Sequence, residues 1–399
     1  MSARRPPSLA LRRRRLGVYW IFAINGIAFA TWMARVPGLR DNLAISTAEV
    51  GLFLLGGAVG ALSGLALSSH IIAWLGSRRT IAWFALLSLV AIGGVGVLSA
   101  IWPSLALAMA AMFVFGVGAS VTDVAMNVEG AEVERDLERN IMPWFHALFS
   151  LGTAVGGGLA AVASSLSIGV EYHFVAVALV LVGPVMYSVR LMGHTNSGAD
   201  TEDTDPDQRG LKSRLSVWAE GRTLLIGVVA LSMAFAEGSA NDWLALAMVD
   251  DRGYTNAEGA LWFVLFTGSM TLGRFLGVPL LDRFGRVPIL AGSGLAALLG
   301  LATVITLDGL VVGVMATIAW GVGSALGFPV AMSAAADDPQ RGAARVSAVA
   351  TIAYGAFLVG PPLIGGLAEA TGILTALWVV AAVIALGLLA TPATRKPSA

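Results

Sequence analysis

Two short stretches set acids and amides one helical turn apart inside otherwise apolar sequence. In VTDVAMNVEGAEVER, Asp123 and Asn127 are separated by one turn, and in AEGSANDW, Glu237 and Asn241 have the same spacing, with Asp242 alongside. Residues four apart share a helix face. A carboxylate in apolar surroundings can take up and release a proton, and a neighbouring amide both donates and accepts hydrogen bonds, which suits a polar solute. The stretch IMPWFHALFSLG adds His146; Pro143 fits a first helical turn and leaves His146 in the opening turn of the same helix. A histidine with an unperturbed pKa of about 6.5 makes such a cluster responsive to pH.

The elements that must position these groups are membrane spans. The 399 residues are 57% hydrophobic and 13% charged, against roughly 25% charged in a soluble domain. Reading apolar runs against polar breaks predicts an all-α membrane protein of twelve spans, near 17–39, 48–70, 80–101, 104–127, 143–166, 172–190, 223–249, 259–281, 288–307, 310–335, 345–369 and 372–391. RRRRLGVYWIFAING has too long an apolar run for a signal peptide and is read as the first span. Almost all of the 25 Lys and Arg residues fall on the side of the two termini; Arg35, Arg40 and Arg252 fall opposite, and Arg274 within a span. Both termini are therefore expected in the cytoplasm. The acidic, polar run GHTNSGADTEDTDPDQRGLKSRL reads as a linker, giving a six-helix half at 1–190, a linker at 191–222 and a second half at 223–399.

The halves repeat. FGVGASVTDVAMN in the fourth span matches WGVGSALGFPVAMS in the tenth with one inserted residue, and HALFSLG lies over YGAFLVG without a gap. Asn25-Gly26 before Trp32 corresponds to Glu237-Gly238 before Trp243. A parallel repeat of six helices is expected to enclose a site between its halves.

Ionisable groups within spans cost on the order of 2.5 to 3.5 kcal/mol each and are functional candidates. Asn25 and Glu237 fall near the midpoints of the first and seventh spans, at matching depth. Asp123 precedes Glu129, taken as the start of a solvated connection, by about 9 Å along the helix axis, so Asp123, Asn127 and His146 are expected to converge near the inner mouth of the first half. The mixed-charge EGAEVERDLERN is read as a solvated short helix. Arg274 requires a partner, with Glu237, Asp242 or Asp123 as candidates. Glu237 and Asp123 are the expected proton carriers, and Asn25, Asn127 and Asn241 the expected hydrogen-bonding groups. Phe328, Ser333 and Tyr354 stand at the repeat positions of Asp123, Asn127 and His146, so proton chemistry on these particular helices belongs to the first half. The series Gly56, Gly60, Gly64 and the pair Gly152, Gly156 permit close helix approach, and the prolines of VGPPLIGG mark a possible bend in the eleventh span.

The loop LLDRFGR resembles the DRxGR signature of the major facilitator superfamily, and with the spans, linker and repeat the whole chain looks like a member. The resemblance implies a gating role for Asp282, Arg283 and Arg286. The first-half loop AWLGSRR keeps the glycine and basic residues without the aspartate. TDVAMNVEGAEVER followed by IMPWFHALFSLG resembles the MosC-like and YbjJ-like bacterial branch, with a looser likeness to fucose permease, whose fourth helix carries an acid four residues before an asparagine, as Asp123 and Asn127 do here. That family's acid in the first helix has no counterpart in ATWMARVPG. GTAVGGG in the fifth span lacks the proline of the drug-antiporter motif, which disfavours efflux by antiport.

With no cysteine, four scattered histidines and no phosphate-binding loop, no metal, cofactor, nucleic acid or ATP is expected, nor enzymatic activity. The expected function is secondary transport by alternating access in a bacterial cytoplasmic membrane: proton-coupled symport of a small polar metabolite such as a sugar or sugar derivative, by a monomer. Proton-driven efflux of amphipathic compounds is the first alternative, and a non-transporting sensor or scaffold the second. Fusions test the orientation directly: green fluorescent protein is expected to fluoresce at either terminus, and alkaline phosphatase at either terminus to stay inactive.

Overall fold

In a computed structural model, residues 8–138, 141–193, 216–338 and 341–396 are described, apart from the side chains at 278 and 343. The linker expected at 191–222 falls largely outside them. Among the described residues twelve helices are long and apolar enough to cross a membrane. We label them α1 (Leu9–Met33), α2 (Thr47–Leu75), α3 (Ser77–Ile101), α4 (Leu105–Leu137), α5 (Met142–Ser165), α6 (Val170–Met192), α7 (Gly221–Asp250), α8 (Asn256–Phe284), α9 (Arg286–Thr306), α10 (Leu310–Ala335), α11 (Gly342–Thr371) and α12 (Ile373–Thr394). The predicted all-helical membrane fold is observed.

Several ends differ from those expected. The first span begins at Leu9, where the Ser8 hydroxyl accepts from the Leu11 N–H at 3.2 Å, and stops at Met33; a separate helix, Val36–Leu43, follows with Pro37 in its first turn. The fourth runs on to Leu137 instead of ending near 127. Its charged extension is held against α1 by an ion cluster described below.

Among the described residues three spans are irregular: α12 is broken at Leu377 and ends in a 3-10 turn at Thr391–Thr394, and two others depart further. In α7 the α-helix gives way to one π-turn at Ala240–Leu244 and resumes at Ala245. In α10 it is interrupted between Ser324 and Gly327, a turn that takes up the residue inserted relative to α4. Pro329 lacks the N–H that would bond the Ala325 carbonyl, so the regular ladder cannot pass this point. By contrast, α11 continues as helix through both Pro361 and Pro362. At the α8–α9 junction Gly285 has φ 79°, and Gly76 at the α2–α3 junction has φ 74°. The glycine shared by LLDRFGR and AWLGSRR thus serves one backbone requirement in both halves, a positive φ that a Cβ would strain.

The chain divides into two compact units, Met1–Ile45 with Gly56–Glu202, and Ser46–Leu55 with Asp203–Ala399. The first turns of α2 therefore belong with the second unit, where Gly51 lies against the Pro361 carbonyl. Within the first unit α1 packs on α5 and α6, and α3 on α4; within the second α7 packs on α11 and α12, and α9 on α10. The same pairings in each unit carry the sequence repeat into three dimensions. Gly56, Gly60 and Gly64 meet backbone atoms of α4, while Gly152 and Gly156 meet the Ala23 and Ile27 carbonyls of α1.

A side chain at 152 has no room against the Ala23 carbonyl. Gly152→Val is expected to destabilise the purified protein by about 1–3 kcal/mol, read as a lowered thermal midpoint in detergent, whereas Gly158→Ala, which meets open space, leaves it unchanged.

Candidate functional site

In the first unit, Asp123, Asn127 and Gly130 form one stripe of α4. Gly130 meets Met142 and Phe145 of α5, and the adjacent Met126 takes the Asn25 amide of α1 at 3.9 Å. The Asp123 stripe therefore borders the faces of α4 turned to α1 and α5. Among the described residues no hydrogen bond joins the Asp123 carboxylate to Asn127 or His146. The Asn127 side chain donates to the Asp123 main-chain carbonyl at 2.8 Å, one turn back in its own helix, and the exposed His146 ring packs edge-on against Phe22 with centroids 5.3 Å apart. Among the described residues no hydrogen bond or ion pair reaches the Asp123 carboxylate, which is exposed.

Glu129 is not the start of a solvated connection. It is 1% exposed and accepts from Arg14 Nε at 2.6 Å, while Arg14 Nη1 reaches Asp136 at 3.1 Å and Nη2 bonds Glu132. Glu129, Glu132 and Asp136 recur at three and four residues, so one guanidinium, with five donors in a fork, can serve all three. This pairing carries α4 past the predicted end and corrects the reading of EGAEVERDLERN as a separate solvated helix. Asp123 accordingly lies well inside a continuous helix. One turn further on, a Glu134 carboxylate oxygen accepts the N–H groups of Ile141 and Met142, each at 2.7 Å, and so fixes the start of α5.

In the second unit, Arg274 of α8 finds Glu237 of α7: its Nη2 lies 3.3 and 3.5 Å from the two carboxylate oxygens. The pair stays partly open, with side-chain exposures of 44% for Arg274 and 24% for Glu237. Nε and Nη1 of Arg274 keep their donors unspent among the described residues. Asn241, one turn from Glu237, is buried and its Oδ1 has no partner among the described residues.

At the α8–α9 end of this unit, Arg286 Nη1 lies 2.8 Å from both Asp337 oxygens and Nη2 donates to Ser333 at 2.9 Å, while Arg222 reaches Asp337 at 3.1 Å. Glu220 accepts from Arg345 at 2.6 Å, Arg341 at 2.7 Å and Thr223 at 2.9 Å. Of the three residues expected to gate, only Arg286 enters this network. Asp282 lines an open pocket without a hydrogen bond among the described residues, and the Arg283 guanidinium lies 5.2 Å from the Phe284 ring centroid.

The family model for the Major Facilitator Superfamily matches residues 141–357 and 226–399. The chain belongs to the major facilitator superfamily. It is 30% identical to the uncharacterized transporter y4wD of Sinorhizobium fredii, over 95% of this chain and 98% of that one. It is 28% identical to the membrane protein MosC of Rhizobium meliloti, over 91% of this chain and 85% of that one. Among solved structures, a variant of the nucleoside transporter NupG superposes with a TM-score of 0.80 at 14% identity, covering 96% of this chain and all of that one, a likeness of fold. The resemblance read from LLDRFGR and TDVAMNVEGAEVER is thereby established, and the chain is a superfamily transporter.

Sequence reading passed over Arg14, Asp337 and Glu220 because their partners lie far along the chain. Asp242 was noted beside Glu237 and Asn241 and weighed as a partner for Arg274; the π-turn on which it lies leaves no mark in hydrophobic periodicity.

The Arg345 hydrogen bond, with those from Arg341 and Thr223, holds the Glu220 carboxyl down at about 2. A folded pKa below the unfolded value near 4.5 gives stability that is fully present above pH 4.5 and is lost as pH falls toward 2. Glu220→Gln is expected to lower stability by roughly 1 kcal/mol at pH 6, with the gap to wild type closing as pH is lowered, as followed by thermal unfolding across pH.

Proposed function

We propose that the protein is a secondary transporter that takes up a small polar metabolite, a sugar or a sugar derivative such as a nucleoside, together with protons by alternating access. The observation that carries the substrate reading is the Glu237–Arg274 pair: an ion pair within spans, partly open, whose guanidinium spends only one nitrogen on its partner. Fixed donors and acceptors at such a place suit the hydroxyl groups of a hydrophilic solute, which must exchange its water for protein hydrogen bonds. Asn241, one turn from Glu237, offers a carbonyl unused among the described residues; Asn25 and Asp123 are the polar candidates of the first unit taken by itself. The nucleoside transporter of similar fold has a solute of this class.

Proton coupling rests on carboxylates within spans that no cation neutralises. Glu237 leaves this group because Arg274 occupies its carboxylate, which assigns it to solute binding instead. Asp123 stays in it. Asp282, Arg283 and Arg286 form the gating candidates, with Arg286 already tied to Asp337.

A thermal-shift screen of purified protein against nucleosides, pentoses and hexoses supplies a solute for flux into proteoliposomes. Losing a charged hydrogen bond costs about 1.5–3 kcal/mol, so Arg274→Ala and Glu237→Gln are expected to raise the half-saturating concentration roughly 10- to 100-fold. Unchanged half-saturation in variants that fold normally contradicts the assignment.

A further inference from the structure

The π-turn of α7 collects polar atoms that the fold leaves without partners. Ser239 Oγ, Asn241 Oδ1 and Trp243 Nε1 are all buried and unsatisfied, and the Asp242 carboxylate has no hydrogen bond or ion pair among the described residues. Buried polar atoms are bonded in the great majority of cases, so three neighbouring exceptions beside a half-buried carboxylate call for an explanation. A single π-turn within an α-helix is a recurrent feature of functional sites. Here it spans Ala240–Leu244, with Asp242 at its centre and about 12 Å along the axis from the end of α7 at Asp250.

Asp242 lines a crevice between α7 and α11, together with Phe235, Trp243, Phe357, Gly360 and Pro361. The crevice is too narrow to admit even a water-sized body, far from the roughly 300–1,000 Å³ of pockets that hold small molecules. A solute does not fit; a proton does. Across the crevice, Pro361 has no N–H, so the Phe357 carbonyl lacks its regular helical donor, and Pro362 does the same to Leu358. The wall facing Asp242 thus carries acceptors short of a donor.

From this arrangement we infer that Asp242 is a proton-binding site that controls the approach of α7 and α11. The inference rests on the proton-coupled transport reading and names its coupling residue. The carboxylate takes a proton from a hydronium ion, releasing water and forming a neutral carboxyl whose O–H donates to the free carbonyl of α11. Loss of the proton leaves a charge with acceptors opposite and no donor of its own, and the helices part. Trp243 Nε1 and Ser239 Oγ, both of residues that line the crevice, supply the donor and acceptor that a water in the opened crevice needs.

Other charges on the packed elements are engaged away from the crevice. Glu237 pairs with Arg274, Glu258 closes the cap of α8 with Thr255, and Asp251 accepts from the Leu374 N–H. On α11, Arg345 bonds Glu220, and Glu369 accepts from Thr47 Oγ1 at 2.7 Å and the Ala48 N–H at 3.2 Å. Tyr354 and Asp250 have contacts of their own, and Asp282 and Arg283 lie at the far end of α8.

The test is hydrogen–deuterium exchange of the full-length protein in detergent, without solute, at pH 5.5 and pH 8 and corrected for intrinsic exchange. Wild type is expected to protect residues 356–364 more at pH 5.5, by at least threefold in rate. Asp242→Asn, which keeps a donor and cannot titrate, holds the protected state at both pH values; Asp242→Ala shows the unprotected state at both. If the alanine variant fails to fold, the asparagine variant alone decides. Exchange independent of pH in wild type, or a wild-type pH response in Asp242→Asn, overturns the inference. Proteoliposome uptake of the solute found by thermal shift separates the two levels: pH-dependent exchange without any solute flux leaves the Asp242 switch standing and removes the transport reading, whereas proton-driven flux that survives in Asp242→Asn removes Asp242 and leaves transport.

Discussion

A charge within a membrane span must be neutralised or must have a use, because nothing in hydrocarbon replaces its water. This constraint sorts the charged residues into two groups. Arg14 with its three carboxylates and Arg286 with Asp337 are closed sets, and they fix helix ends. Arg35, buried at 5% exposure, is likewise held by Ser164 and by the carbonyls of Ala160 and Ile168. Asp123 and Asp242 are left over, each well inside a helix and, among the described residues, without a cation. Glu237 and Arg274 lie between these groups, paired to each other and still open to a third party.

The packing of the helices explains how such residues are tolerated. Glycine against a neighbouring carbonyl, as at Gly60 and Gly152, brings helices close enough to lock without large side chains. Irregular backbone also occurs within this packing, at the π-turn of α7 and the interruption of α10. A helix that departs from its regular ladder exposes main-chain groups and turns side chains to new faces. At α7 the result is an acid that shares a crevice with the proline-containing stretch of α11, so that a local chemical event has a helix pair to act on.

Much of this was readable in the sequence, for identifiable reasons. Hydrophobic runs gave twelve spans because length and apolar composition decide membrane crossing, and the match of FGVGASVTDVAMN with WGVGSALGFPVAMS anticipated the paired architecture, though not that its inserted residue falls at a turn in α10. The partner of Arg274 was among the three named. The end of α4 was misjudged because Glu129 looks solvated until Arg14, distant in sequence, is placed beside it. His146 and Asn127 were expected to meet Asp123, yet an asparagine can spend its donor on the carbonyl one turn back, and spacing alone does not separate the two outcomes. Asp242 was undervalued because a π-turn shifts which side chains share a face and leaves composition unchanged.

The central claim is that carboxylates without cations couple solute movement to protons. The most direct measurement is the pH of a weakly buffered medium outside de-energised proteoliposomes when the transported solute is added. Symport predicts alkalinisation that follows solute entry and is abolished by a protonophore. Solute entry with no change in external pH would contradict the account.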